Sequence, residues 1–312
     1  MTRPATPRDR IAPAPKALLP VLVNRKGGAA AKAGEDLERH LAGAFAKAGA
    51  ETSVRLLDGP DTAEAVREAA SAAPRVVVGG GDGTASCAAA VLSGGAVEMG
   101  LLPLGTLNHL ARDLGIPADL NEAAALAVQG SVTAIDLGDV NGHCFVNNAS
   151  IGLYPSMVRR RDAYRRRKGW PKWLAAIPAS WHAWSRFRRH RLTLDMGQGE
   201  GPLCTSLLFV GNNLYLIERG KIGVRESLSG GMLSVFALAA PGRLALLRFA
   251  FRAVTGRAHR NADFVAYGEC ETLTVRASAG KVDIALDGEV RMLEFPLRFE
   301  VRAGALRIVA PA

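Results

Sequence analysis

The sequence predicts an α/β domain on a parallel, doubly wound sheet, followed by a mostly antiparallel β domain, a sandwich or flattened barrel. Three observations carry that reading. Short β-branched runs alternate with helical segments from Ala17 to about residue 133, the pattern of a parallel sheet with crossover helices. Beyond that point the chain reads as short apolar runs, several divided by turn pairs such as Asn141-Gly142, Asp287-Gly288 and Ala303-Gly304. Between a strand and a helix in the first half lies Gly79-Gly80-Gly81-Asp82-Gly83-Thr84, a glycine turn of the kind that ends a buried strand and opens a helix.

Taken in order, 17–23 is an apolar strand ending at Asn24-Arg25-Lys26-Gly27-Gly28. Leu37, Leu41, Phe45 and Ala48 fall at helical spacing. Residues 51–57 read as a strand and 62–70 as a helix capped by Asp61. The strand 75–78, the glycine turn and a helix over 85–92 follow, then a strand over 98–103, the loop Leu104-Gly105-Thr106-Leu107-Asn108, a helical turn over 109–114 and a helix over 121–129. In the second half, strands are expected at 133–137, 143–147, 192–195, 206–210, 233–237, 272–275, 282–286, 297–301 and 306–309, interrupted by one helical stretch over 155–190. The loops 24–28, 79–84 and 104–108 then all lie at the carboxyl ends of the parallel strands, where such sheets bind ligands.

The glycine turn carries the chemistry. Glycines let an anion approach the backbone, and the helix start aims free N–H groups and a positive dipole end at it. Asp82 is the odd member, because a carboxylate beside phosphates repels them unless a magnesium ion or ordered water lies between. The run therefore points to a metal–nucleotide site.

Composition narrows the remainder. Four widely spaced cysteines, Cys87, Cys144, Cys204 and Cys270, form no CxxC pair, which argues against a zinc site or disulfide framework and fits a reducing cytosol. Residues 1–16 hold no apolar signal segment and read as a disordered tail. The best candidate span, Gly230 to Gly242, is 13 uncharged residues with Pro241 near its end, short of the roughly 18–20 that span a membrane. The net charge of +10 is local: 158–191 holds 12 lysines and arginines against one acid, Asp162, together with all four tryptophans. Interfacial indoles beside basic side chains suit contact with an anionic membrane. No nucleic-acid-binding module is legible, so nucleic acid is not an expected partner.

Five motifs in order resemble the diacylglycerol kinase catalytic-domain family, which includes soluble bacterial lipid kinases and sphingosine kinases. They are Asn24–Gly28, Gly80–Thr84, Pro103–Asn108, Phe145-Val146-Asn147-Asn148-Ala149-Ser150-Ile151-Gly152 and Asp287-Gly288-Glu289. The resemblance implies a Rossmann-like nucleotide-binding domain over 17–133, to which the terminal strand 303–312 returns. It implies a β-rich lipid-substrate domain over 134–302 with the basic helical insert 155–190, and an active site in the cleft between them. It further implies ATP and Mg²⁺ as cofactors and phosphorylation of a lipid hydroxyl, that of diacylglycerol or a related long-chain alcohol. Backbone N–H groups of Gly80, Gly81, Asp82, Gly83 and Thr84 would hold the phosphates. Asn24, Gly105, Thr106 and Asn108 would complete the nucleotide site. Asp82 and Asp136 would join the water network around the metal, and Glu289, with Asp287 beside it, would be the general base. The expected setting is the cytoplasm with visits to the inner membrane face, and exposed β edges leave a homodimer open.

The chain departs from the family pattern in several places. Arg25 stands for a proline, Gly27 for a small polar residue, Ser86 for an asparagine, His109 for an aspartate, and Gly230-Gly231 for an Asp-Gly pair. Two acids of the expected metal network are thus missing, and Asp113 and Glu226 are the nearby acids that could replace them. Two rival readings stay open: an NAD kinase, which shares the Gly-Asp-Gly-Thr turn, and a catalytically weak or silent lipid- or nucleotide-binding regulatory protein of the same fold.

Overall fold

The computed structural model describes residues 18–26, 28, 30, 36–159, 189–197, 199–218, 221–225, 227–238 and 264–312. The tail 1–16 and most of the basic segment, 160–188 with its four tryptophans, lie outside the described residues.

The first half alternates as its periodicity requires: β1 (Leu19–Asn24), α1 (Leu37–Lys47), β2 (Thr52–Leu57), α2 (Thr62–Ala72), β3 (Arg75–Gly80), α3 (Asp82–Leu92), β4 (Glu98–Pro103), α4 (His109–Asp113) and α5 (Leu120–Gln129). The strands pair in parallel in the order β2-β1-β3-β4. Val76, Val77 and Val78 of β3 are all fully buried, as expected of a central strand covered on both faces. Right-handed crossovers send α1 and α2 to opposite faces; α1 packs beside α5 and α2 beside α3. Asp61 lies in a 3₁₀ turn over Gly59–Asp61 and makes no side-chain cap bond to α2, unlike the cap expected from sequence.

The second half is antiparallel. Its strands are β5 (Ser131–Val140), β6 (His143–Phe145), β7 (Asn148–Gly152), β8 (His190–Asp195), β9 (Glu200–Thr205), β10 (Leu207–Asn212), β11 (Tyr215–Glu218), β12 (Lys221–Arg225), β13 (Leu233–Leu238), β14 (Phe264–Cys270), β15 (Thr272–Arg276), β16 (Lys281–Leu286), β17 (Glu289–Glu294) and β18 (Leu297–Ala310). A six-stranded sheet runs β14-β13-β10-β7-β16-β17. It faces β18, β15, β8 and β9 across a core that includes Ile151, Leu208, Val235, Ile284, Leu273 and Phe299. The fold class read from the sequence is the one observed. Residues 153–159 are helical, as expected, but His190 already belongs to β8.

One strand joins the halves. The 14-residue β18 lies parallel to β4 at Ile308 and antiparallel to β15 at its start, and it pairs with β5 along both halves. The register shifts between Arg302 and Leu306. The carboxylate of Asp136 sits at that irregularity, accepting from Gly304 N at 2.8 Å and from Gly231 N at 2.8 Å. Asp136 is 3% exposed, and both its oxygens are committed to these glycine amides. It is a bolt between β5, β18 and the 227–232 loop, a structural role beside the place in the metal's water network that the resemblance implies.

Where β5 crosses β6, Gly138 leaves room for an aromatic ring. A Cβ there would lie 2.2 Å from Phe145, which is buried and packs edge-on against Phe299 at 6.5 Å. A Gly138→Ala substitution is expected to overpack this junction and cost about 1–3 kcal/mol, read as a lower urea midpoint with an unchanged slope. A midpoint equal to wild type would show that the ring yields freely.

Candidate functional site

Three loops converge at the carboxyl ends of β1, β3 and β4, and glycine makes the convergence possible. A Cβ on Gly105 would lie 2.3 Å from Gly81 Cα, and one on Gly28 would lie 2.9 Å from Leu104 O. A Cβ on Gly80 would lie 2.6 Å from Thr84 Cβ. Helix α3 begins at Asp82, with Gly81 as its cap residue, earlier than the sequence suggested. The run Gly80–Thr84 therefore passes from the end of β3 into the first turn of a helix, where Thr84 N already donates to Gly81 O at 3.0 Å and the N–H groups of Asp82 and Gly83 have no intrahelical acceptor. Those groups and the helix dipole suit this end of α3 to an anion.

Side chains lock the turn. Asn24 Nδ2 donates to Thr84 Oγ1 at 3.1 Å, while Asn24 Oδ1 accepts from Lys26 N at 3.0 Å. Asp82 Oδ1 accepts from His109 N at 2.6 Å, which ties the turn to the start of α4. Asn108 adopts a left-handed backbone with φ 49°. Its Oδ1 accepts from Gly105 N at 2.9 Å and its Nδ2 donates to Pro103 O at 3.0 Å. The side chain of Asn108 thus folds its own loop rather than facing a nucleotide. Thr106 is exposed at the loop tip. Beside the site, Asp58 accepts from Arg25 and pairs with Lys26, at 2.8 and 3.1 Å. The Arg25 and Lys26 hydrogen bonds hold its carboxyl down at about 2.

The opposite lip is the β16–β17 hairpin. Asp287, at φ 47°, does not stand beside Glu289 as a second base. Its Oδ2 accepts from Val146 N at 2.7 Å, and its Oδ1 accepts from Asn147 N at 2.7 Å and Asn148 N at 3.1 Å. The three N–H groups of the β6–β7 connection are satisfied by this one carboxylate. Glu289, two residues on, is exposed, and its Oε1 lies 3.5 Å from the place a Cβ on Gly83 would occupy. The glycine turn and Glu289 therefore share one crevice.

The carbonyls of the same connection are also held. Val146 O accepts from Asn212 Nδ2 at 2.9 Å and Arg225 Nη1 at 2.7 Å; Asn147 O accepts from Asn212 N and from the Tyr215 hydroxyl, both at 2.9 Å. Arg225 Nη2 reaches Asn147 Oδ1 at 3.0 Å, and its Nε pairs with Asp113 Oδ2 at 2.8 Å. Sequence reasoning missed Arg225, Asn212 and Tyr215, since a lone arginine or asparagine in a strand reads as surface. It offered Asp113 as a replacement metal acid, but that carboxylate is taken by Arg225. Glu226 lies outside the described residues.

The described residues form no all-protein cage for a metal, as is usual for magnesium, which one or two carboxylates hold together with substrate phosphates. Among the described residues no group of three His, Cys, Asp or Glu side chains could hold a metal. Asp136 and Asp287 use both oxygens to accept from backbone N–H groups. Asp82 within the phosphate turn and Glu289 facing Gly83 are the carboxylates at that turn among the described residues.

Comparisons with known proteins agree with this geometry. Residues 19–140 match the family model of the diacylglycerol kinase catalytic domain. A Pseudomonas aeruginosa protein named probable lipid kinase YegS-like is 32% identical over 296 residues, spanning 90% of this chain and 92% of its own. A Bacillus subtilis protein named diacylglycerol kinase is 28% identical over 271 residues, 82% of this chain and 86% of that one. In structure, a putative diacylglycerol kinase from Bacillus anthracis superposes with a TM-score of 0.71 at 20% identity, over 96% of this chain and 98% of its own. At that identity the likeness speaks for the fold.

Burial pushes the Tyr215 phenol up from 10.0 to about 12. Below pH 10 the phenol is protonated folded or unfolded; between about 10 and 12 only the unfolded form releases the proton, so stability falls as pH rises. The stability gap between wild type and Tyr215→Phe should shrink by about 2–3 kcal/mol across that window, measured by urea unfolding. A gap independent of pH would place the phenol in water.

Proposed function

The chain belongs to the diacylglycerol kinase catalytic-domain family of lipid kinases, and from that premise we propose that it transfers the γ-phosphate of ATP to the hydroxyl of diacylglycerol or a related long-chain alcohol. The observation that carries this reading is the facing pair, with the N-terminal turn of α3 on one lip and Glu289 Oε1 on the other, 3.5 Å from a Cβ position on Gly83. The free amides of the Gly80–Thr84 turn, those of Asp82 and Gly83 foremost, hold the triphosphate, and the Asn24–Thr84 bond fixes their direction. Glu289 takes the proton of the acceptor hydroxyl as its oxygen bonds to the γ-phosphorus. The bond from that phosphorus to the β,γ-bridging oxygen breaks, and ADP leaves with the electron pair. Positioning and charge neutralisation supply most of the rate in such transfers. Magnesium that arrives with ATP would neutralise phosphate charge, and no step here is assigned to a metal held by the protein.

The basic segment 158–191 completes the proposal as the part that meets an anionic membrane on which the lipid lies. Among the described residues no helix is long and apolar enough to cross a membrane. A second reading draws on specific observations: with Asp136 and Asp287 committed, and His109 and Gly230 in place of acids, the protein would bind its ligands and turn over weakly or not at all.

The test is ATP consumption with short-chain diacylglycerol, with NAD, and with no acceptor. The proposal expects turnover with diacylglycerol alone. Turnover with NAD makes it an NAD kinase, and none with either leaves the silent reading. Glu289→Gln should lower kcat by about 10²–10⁴-fold with ATP affinity unchanged, and wild-type turnover in that variant would remove the base assignment. Gly105→Ala should push the 103–108 loop off Gly81 and weaken ATP binding by at least about tenfold, read by fluorescent-nucleotide titration. Unaltered affinity there would separate the loop contact from nucleotide binding.

A further inference from the structure

Arg225 is the least expected side chain in the molecule. Its side chain is 1% exposed, and that of its partner Asp113 is 12% exposed. A buried ion pair seldom stabilises a fold more than apolar side chains of the same volume would, so stability alone gives little reason for a cation here. Geometry gives a better one. The guanidinium fork spans acceptors on two separate segments: Asp113 at the end of α4, and Val146 O with Asn147 Oδ1 on the β6–β7 connection. A single-point ammonium cannot reproduce that fork.

Each segment leads to one lip of the crevice. At its other end α4 is held by Asp82 of the glycine turn, through His109 N. The β6–β7 connection is held by Asp287, two residues before Glu289. The contacts run in order from Asp82 through His109 and Asp113 to Arg225, then through Asn147 and Asp287 to Glu289, which faces Gly83 across the gap.

We propose that Arg225 is a positioning residue for phosphoryl transfer: bridging Asp113 and the 146–147 backbone, it sets where Glu289 stands relative to the phosphate-binding turn. The inference rests on the kinase reading and on Glu289 as base. It goes beyond them by giving the distance between base and phosphate a side-chain determinant that reaches from one half to the other.

A double-mutant cycle in the full chain tests it, with wild type, Arg225→Lys, Glu289→Gln and the double variant assayed on ATP and dioctanoylglycerol. Arg225→Lys should lower kcat about 10²-fold, the scale of a misplacement of about 1 Å, with KM for ATP within about threefold. In the Glu289→Gln background the same change should cost less than about threefold, because the group it positions is gone. A general structural defect would instead multiply through both backgrounds and raise KM. If Arg225→Lys does not give a cooperative melt, the uncharged pair Asp113→Asn/Arg225→Gln replaces it in the same cycle, with the same expectation. Full multiplication, or a folded variant within about threefold of wild-type kcat, overturns the inference while leaving Glu289 as base. A Glu289→Gln enzyme as fast as wild type defeats the base assignment, and this inference with it.

Discussion

The three consecutive amides of Val146, Asn147 and Asn148 share one carboxylate, Asp287, and much of the rest of the site follows from that interaction. A short irregular connection between two buried strands carries polar backbone groups that must find partners. Here the amides go to Asp287 and the carbonyls to Asn212, Tyr215 and Arg225. Because the partners come from β10, β11, β12 and the β16–β17 turn, satisfying one connection pins four elements at once. Glu289 emerges from the last of them at the edge of the cleft.

The nucleotide side is built on a different principle. There the proposed binding group is the backbone itself, and glycine is required because three loops come closer than side chains allow. The near-contact of Gly105 with Gly81 is the tightest case. Asn24, Asp82 and Asn108 then use their polar atoms largely to brace these loops. One half presents amides and the other presents an acid, and the division suits a reaction in which charge is gathered on one partner and a proton removed from the other.

Much of this was legible in the sequence, and the misses have physical causes. Alternation of strands and helices is periodic, so β1 to β4 with α1, α2 and α3 could be read directly. β9, with Gly201 and Pro202, and β17, rich in charge, lie at the ends of their sheets. Edge strands tolerate such residues, so they carry no apolar alternation to read. Glu289 and the glycine turn stood out because their motifs are compact. The work of Asp136 and Asp287 did not, since a carboxylate that holds backbone amides has the same one-letter signature as one that meets a metal or a substrate. Arg225 was hidden for a related reason: its partners are 78, 79 and 112 residues away.

The central claim is that one crevice, amides on one side and Glu289 on the other, holds the reacting groups. A crystal structure with a non-hydrolysable ATP analogue and a short-chain diacylglycerol tests it most directly. The account predicts the γ-phosphate at the start of α3 and the acceptor hydroxyl within hydrogen-bond distance of the Glu289 carboxylate. A nucleotide bound away from Gly80–Thr84, or an acceptor hydroxyl beyond the reach of Glu289, would contradict it.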